Sequence, residues 1–572
     1  MRSKFYYLLS ALILVSVLLS ACGPATTETV TPAETEAPVV TEAPTEVATE
    51  TPTEAPTEVP TEGPAGPLTV LIDNDEGPIT PANFNTFIGF WLVGWVYDSL
   101  YIRTPELEPI PSLATSATPS EDGLTWEITL REGVKWHDGE DFTVDDVIFS
   151  YNFLIAAGRA NNLAAIDTME ANGDYGLTIK LKEPQPFFLN EGLAGTFILP
   201  EHLWSDQTPI SGELSQFQGM VGTGAYKLVE VEPTQFYRFE ANPDYFRGEP
   251  VVPEIIAKIV KDRTQQFNQL RADEADAVLS SVPPAFVADL ESNGDVEIAK
   301  GSDFFNYIFY TNGSREPFSD PAVRQAIAKA IDTKTLVEVV LLGQGVELPL
   351  NWYHPDLAWS INIPHVYDPE AAAAELEAAG LVDSDGDGIR ELNGTNTDFG
   401  ILCDVNNPVE VRATELIAGF LNDVGLGSHQ NCLDIDSSVA LIWPNFVAVA
   451  EPDYDMGIWG WSSGPQFQRG FIKFLTNCEF GTVGWGNLTG TCDPTLDERV
   501  DALVSNTDPS KTEDLSKELQ ERFVENLPFI PLMSPGGNFA YQPAAYDGWV
   551  YMKGTGIMTV WSFLPEGAQD IP

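Results

Sequence analysis

From Gly23 to Pro67 the chain repeats Thr-Glu-Ala-Pro and Thr-Glu-Val-Pro units and contains no lysine or arginine. Proline blocks helix, the like charges repel, and too little apolar surface is present to pay for chain ordering. This stretch therefore reads as a semi-rigid extended stalk, and whatever folds must lie in residues 68–572. The balance of 29 Lys+Arg against 85 Asp+Glu gives a net charge of −56. A surface this acidic excludes nucleic acid as a partner, because phosphate binding rests on cationic neutralisation. It also argues against adsorption on anionic lipid. With 43% apolar and 11% aromatic residues, the rest of the chain has ample material for large cores.

Ahead of the stalk, Arg2 and Lys4 precede an apolar run from Phe5 to Ala21. A positive start and a short apolar stretch ending in small residues describe an export signal, and the run is slightly short for a membrane span. Its end, Leu19-Ser20-Ala21-Cys22, resembles a bacterial lipobox. The resemblance implies cleavage before Cys22 and lipidation of its thiol. Buried acyl chains contribute about 0.8 kcal/mol per methylene, so two or three of them hold a protein firmly at a membrane.

In the folded part, Leu68 to Asp73 reads as a strand. Trp126 to Leu130 alternates, turns at Gly133 and resumes at Val134-Lys135-Trp136 before a second turn at Asp138-Gly139. Thr143 and Asp146 form a capping box, followed by Val144, Val147, Ile148 and Tyr151 on one helical face. Asp320-Pro321 and Asp368-Pro369 each start a helix, the second stopping at Gly380. Interspersed strands and helices predict a mixed α/β class.

Cys403, Cys432, Cys478 and Cys492 permit three disulfide pairings, of which the simplest joins sequence neighbours, Cys403–Cys432 and Cys478–Cys492. Such loops contribute on the order of 3 kcal/mol each through chain entropy. A metal site is the alternative, but Cys-x-x-Cys spacing is missing and His429 is the only nearby imidazole. Asp383, Asp385 and Asp387, with Gly388 close behind, resemble the start of a calcium loop, yet position 12 is Gly394 where a bidentate Glu is required. A solvated turn is the reading we prefer, and we expect no metal and no cofactor. His137, His202, His354, His365 and His429 lie far apart, and the sequence has neither a nucleophile elbow nor a phosphate loop. We expect no catalysis. His137, just before Asp138-Gly139, suggests a structural hydrogen bond.

The run Trp126 to Tyr151 resembles the signature of family 5 solute-binding proteins, the extracellular receptors of peptide and nickel ABC importers. Further matching segments follow the family order. They are Pro111-Ser112-Leu113-Ala114, Asp122-Gly123-Leu124, Gly222-Thr223-Gly224-Ala225-Tyr226-Lys227 and Asn242-Pro243-Asp244-Tyr245-Phe246. Later come Pro317-Phe318-Ser319-Asp320, Val323-Arg324-Gln325-Ala326, Asp332, Tyr367-Asp368-Pro369 and Leu527-Pro528-Phe529-Ile530-Pro531-Leu532.

The resemblance implies a two-lobed α/β fold of the periplasmic-binding-protein class II type, with an additional domain inserted in the first lobe. The expected organisation is 1–22 signal, 23–67 stalk, lobe I in 68–110, 221–309 and 531–572, the insertion in 111–220, and lobe II in 310–530. It implies an ABC permease as partner, a lipid-anchored place outside the cell membrane (cell surface or periplasm), and a monomer that closes on a small-molecule ligand.

In peptide-binding relatives a Gly-Trp pair is followed closely by an Asp that receives the peptide's α-ammonium. Gly460-Trp461 matches the pair, but Ser463 or Gly464 stands where that Asp is expected. Two ligands then remain. An oligopeptide would add as a strand, with Asp75, Glu76 or Asp453 receiving its amine. An oligosaccharide would lie on Trp459 and Trp461 and bond Ser462, Ser463, Gln466 and Gln468. The aromatic segment Phe84 to Tyr101 is expected mainly to pack the first lobe, and the resemblance implies that Phe87, Phe90 or Trp91 borders the cleft.

Overall fold

The computed structural model describes residues 64, 66–77, 79–84, 86–158, 163–207, 220–292, 294–443, 452–478, 487 and 489–571, with Phe87 by its backbone alone. The signal, Cys22 and nearly all of the stalk lie outside the described residues.

Two large hydrophobic cores organise the chain. The first gathers residues from Leu68 to Leu279 and again from Tyr541 to Phe563. The second gathers Phe304 to Met533. Within the first core lies an antiparallel sheet ordered Ala114–Pro119, Thr125–Leu130, Gly176–Leu181, Ile166–Ala171. Trp126, Ile128 and Leu130 are buried on one face of the second of these strands, as its alternation requires. The expected continuation at Val134-Lys135-Trp136 is present but short, a single antiparallel bridge joining Lys135 to Asp141 across the turn at Asp138-Gly139. Gly133 adopts φ +78°, and the Trp136 amide donates to Glu140 O. The helix Val144–Ala156 follows with its capping box formed, the Thr143 amide donating to Asp146 at 2.9 Å. Asp320 and Asp368 cap the helices Pro321–Ala330 and Pro369–Ala378, each with proline in the first turn.

A twelve-stranded sheet runs through both cores. Its path is Ser428–Leu433, Phe399–Asp404, Met456–Trp461, Asn306–Thr311, Phe529–Tyr541, Ala277–Val278, Leu68–Ile72, Glu254–Ile259, Phe236–Ala241, Tyr226–Glu232. The thirteen-residue strand Phe529–Tyr541 joins the halves. Its first part pairs with Asn306–Thr311, and its last part, from Gly536, with Glu297–Ser302. The chain therefore passes from one core to the other twice, side by side, at residues 302–306 and 533–537.

Cys403 and Cys432 stand opposite each other on neighbouring parallel strands and are bonded. Cys478 is bonded to Cys492.

Candidate functional site

Trp459 and Trp461 end a strand of six, two residues apart and so on one face. Both are half-buried. Trp459 meets Trp443 edge to face at 5.1 Å, and Trp461 meets Phe471 at 6.0 Å. On the other face a side chain at Gly460 would stand 2.5 Å from the Phe305 ring, so glycine lets the strands pack there. The neighbouring parallel strand Phe399–Asp404 pairs only with Met456 and Gly457. Among the described residues the same edge from Ile458 to Trp461 carries no further strand. The buried Trp461 indole N–H has no hydrogen-bond partner among them either.

The turn after this strand is fastened from inside. Ser463 is buried and its carbonyl accepts from the Gln466 amide at 2.9 Å. Gln466 is fully buried, and its side-chain oxygen accepts from the His354 amide at 2.8 Å. Gln466 therefore holds the turn to the segment around Trp352. Ser462 and Gln468 are exposed.

The three acids proposed to receive an amine are committed elsewhere. Asp75 accepts from Tyr237 Oη at 2.7 Å and from the amides of Thr234 and Gly77. Partial burial pushes its carboxyl up, but these bonds outweigh it and hold the carboxyl below its usual range. Glu76 is fully buried and accepts from the Thr86 amide and hydroxyl, bracing the first turn of the helix Phe87–Val96. Asp453 is paired with Arg315 at 2.8 Å. The acidic turn also differs from expectation: Glu391, not Asp387, clusters with Asp383 and Asp385. Asp383 accepts from the amides of Gly386 and Gly388, and Asp387 from Ile389 and Asn396. Local amides thus satisfy the loop as a turn.

Where the two cores meet, two arginines cross. Arg103, on the first side, lies over the Phe467 ring at 5.7 Å. Arg469, on the second, lies over Phe187 at 5.5 Å and over Trp359 at 4.8 Å. Arg103 donates to Asn190 Oδ1 at 2.7 Å and to Asn190 O at 2.6 Å. Arg469 donates to Glu513 at 2.8 Å. Phe187 and Leu107 pack on the second core. None of Arg103, Phe187, Phe467 and Arg469 stands out in the sequence, because each contact spans hundreds of residues.

Glu191 lies in the field of both arginines, and its burial raises the carboxyl to about 7 against their pull. The folded chain keeps a proton between about 4.5 and 7 that the unfolded chain releases. Stability contributed here therefore falls as pH rises through that window. Glu191→Gln is expected to gain about 1–2 kcal/mol over the parent between pH 5 and pH 8, discounting for residual hydration. Unfolding midpoints of both proteins at the two pH values check this; a constant difference contradicts it.

Trp91 meets Phe90 edge to face at 5.0 Å, and Phe90 meets Phe197 at 5.2 Å. These rings wall a recess on the first side, beside Arg103. The side chain of Phe87 lies outside the described residues.

The sequence model of the bacterial extracellular solute-binding proteins, family 5 Middle, matches residues 108–481. The oligopeptide-binding protein AppA of Bacillus subtilis is 26% identical over 455 residues, covering 77% of this chain and 80% of its own. Di/tripeptide-binding protein 2 of Pseudomonas aeruginosa is 25% identical over 508 residues, covering 82% of this chain and 90% of its own. Among solved structures, B. subtilis AppA in complex with a nonapeptide superposes with a TM-score of 0.69 at 23% identity, over 89% of this chain and all of that one. NikZ of Campylobacter jejuni in complex with Ni(L-His) does so at 0.71 and 22% identity, over 87% of this chain and 99% of its own.

Proposed function

The chain belongs to the bacterial extracellular solute-binding proteins of family 5, and from this premise we propose that it is a lipid-anchored receptor handing oligopeptides to an ABC permease. The family comprises receptors of ABC importers with a two-lobed α/β fold, not enzymes. Lobe I is assigned to the first core, lobe II to the second, the insertion to the four-stranded sheet, and the hinge to residues 302–306 and 533–537. A ligand touching both lobes binds the closed form better and shifts the population toward it. The crossed arginines add lobe-to-lobe contact to that form. Lipidation at Cys22 and the stalk would hold the receptor outside the cell membrane, where it acts as a monomer.

The observation that carries the peptide reading is the edge of Ile458–Trp461, which lacks a strand neighbour beyond Gly457 among the described residues. Such an edge offers a ladder of amides and carbonyls to an extended peptide, whatever its side chains. The names of the relatives support the same class. One feature favours an oligosaccharide instead: two half-buried indoles share a face at the same strand end.

A thermal-shift panel of tri- to nonapeptides against cello- and xylo-oligosaccharides separates the two. Saturating ligand at 100 times Kd stabilises the folded state by about 2.7 kcal/mol. Peptides are expected to raise the midpoint and sugars to leave it unchanged, with Trp461→Ala weakening peptide binding about tenfold, a typical cost for truncating a buried aromatic anchor. Stabilisation by sugars alone overturns the peptide reading.

A further inference from the structure

We propose that the recess between the helix Phe87–Val96 and the C-terminal segment is a side-chain pocket that selects ligands carrying a phenol or indole. The inference rests on the peptide reading and specifies what the receptor prefers. Phe90, Trp91, Phe197, Val560 and Trp561 supply an aromatic and apolar wall. Gly94 sits on the same helical face, where an added Cβ would come to 3.4 Å from the Phe197 ring.

The polar groups set into this wall give it chemistry. Tyr97 and Thr559 line the recess at 1% and 4% exposure, and neither hydroxyl has a hydrogen-bond partner among the described residues. A buried hydroxyl gains by finding a partner, and we take these two, on residues that line the recess, as the groups a ligand's polar atom would meet. The other polar groups nearby are engaged. Asp98 accepts from Thr223 and Tyr245 at 2.8 Å each, Trp561 Nε1 donates to Arg103 O at 2.8 Å, and Arg103 is held by Asn190. An aliphatic side chain would leave both hydroxyls unsatisfied, and a charged one would lose its hydration against aromatic rings. A flat ring bearing one O–H or N–H satisfies both requirements. Arg103 joins the recess to the meeting line of the cores, since it also lies over Phe467. A peptide lying between the lobes has the recess at its side.

The test uses the purified full chain, calorimetry with Ala-Ala-Tyr-Ala, Ala-Ala-Phe-Ala and Ala-Ala-Ala-Ala, and ligand-observed NMR with p-cresol. The tyrosyl peptide is expected to bind at least tenfold more tightly than tetra-alanine, with the phenylalanyl peptide between. Gly94→Leu, which fills the recess, brings the tyrosyl peptide down to tetra-alanine and leaves the latter within twofold. Thr559→Val, which keeps the shape, narrows the gap between tyrosyl and phenylalanyl peptides. Equal affinity for all three peptides in the parent, with no p-cresol binding, overturns the pocket while the peptide reading stands. No peptide binding, but p-cresol binding that Gly94→Leu abolishes, overturns the peptide reading and supports the pocket. Silence from both kinds of probe overturns both.

Discussion

Gly222→Ala is expected to destabilise the structure around the first core by about 4 kcal/mol or more, in the range reserved for mutations that break a fold locally. A Cβ there would lie 1.8 Å from Val96 O and 2.6 Å from Val96 C, and backbone atoms have nowhere to rotate. Shifting Gly222 would also undo a knot of hydrogen bonds. The His137 amide donates to Gly222 O at 2.9 Å, and the Gly222 amide donates to His137 Nδ1 at 3.3 Å. With Nδ1 accepting, Nε2 carries the proton and donates to Gly224 O at 2.9 Å. Burial lowers this imidazole to about 4, so it stays neutral and keeps that tautomer at physiological pH. Thr223 reaches Asp98, Asn242 reaches Gly224 O, and the Gly224 amide returns to Val96 O. Thermal unfolding and soluble yield of Gly222→Ala check the prediction. A variant within 1 kcal/mol of the parent would mean that the loop has slack the geometry does not show.

That knot explains why so much of this fold was legible in the sequence. The segments Trp126–Tyr151, Gly222–Lys227 and Asn242–Phe246 look like separate motifs along the chain, yet His137, Gly222, Gly224 and Asn242 meet at one point. The helices opened by Thr143, Asp320 and Asp368 were readable for a simpler reason: their caps are local, each acid bonding within three residues. At Val134-Lys135-Trp136, where polar and apolar residues still alternate, the pairing is reduced to a single Lys135–Asp141 bridge. Two glycines at positive φ, Gly133 and Gly139, turn the chain on either side of it and keep it short.

The candidate site was legible in part. Gly460-Trp461 marked the end of its strand, where a small residue is required beside the Phe305 ring. Asp75, Glu76 and Gln466 looked equally suited to a ligand, being polar residues in the right segments. Their partners lie far off or inside the core. Thr234 and Tyr237 stand about 160 residues from Asp75, and His354 is 112 residues from Gln466. Nothing in a one-dimensional pattern announces such pairings. Arg103 over Phe467 and Arg469 over Phe187 were hidden for the same reason, although they join the two cores most directly.

Gly464→Asp is expected to create a preference for free-amine peptides of about 30- to 100-fold, roughly 2–3 kcal/mol, the worth of a hydrogen bond to a charged group in a partly desolvated site. Gly464 stands three residues after Trp461, where the resemblance to peptide-binding relatives calls for an ammonium-binding Asp. The position admits the change. An added Cβ meets nothing nearer than Ser462 Oγ at 3.9 Å, and Gly464 is the first residue of the short 3-10 turn Gly464–Phe467. Asp75, Glu76 and Asp453 are already held by protein partners, which weakens their pull on an amine. The parent should therefore bind tetra-alanine and N-acetyl-tetra-alanine within about threefold of each other, since an unpaired ammonium gains little. The variant should tighten on the free amine alone, and the gain should shrink as salt is raised from 50 to 500 mM. Calorimetry on the four combinations decides it. A parent that already prefers the free amine tenfold would show that another carboxylate reaches the ligand. A variant blind to the amine would show that the peptide lies along Ile458–Trp461 with its N-terminus directed elsewhere.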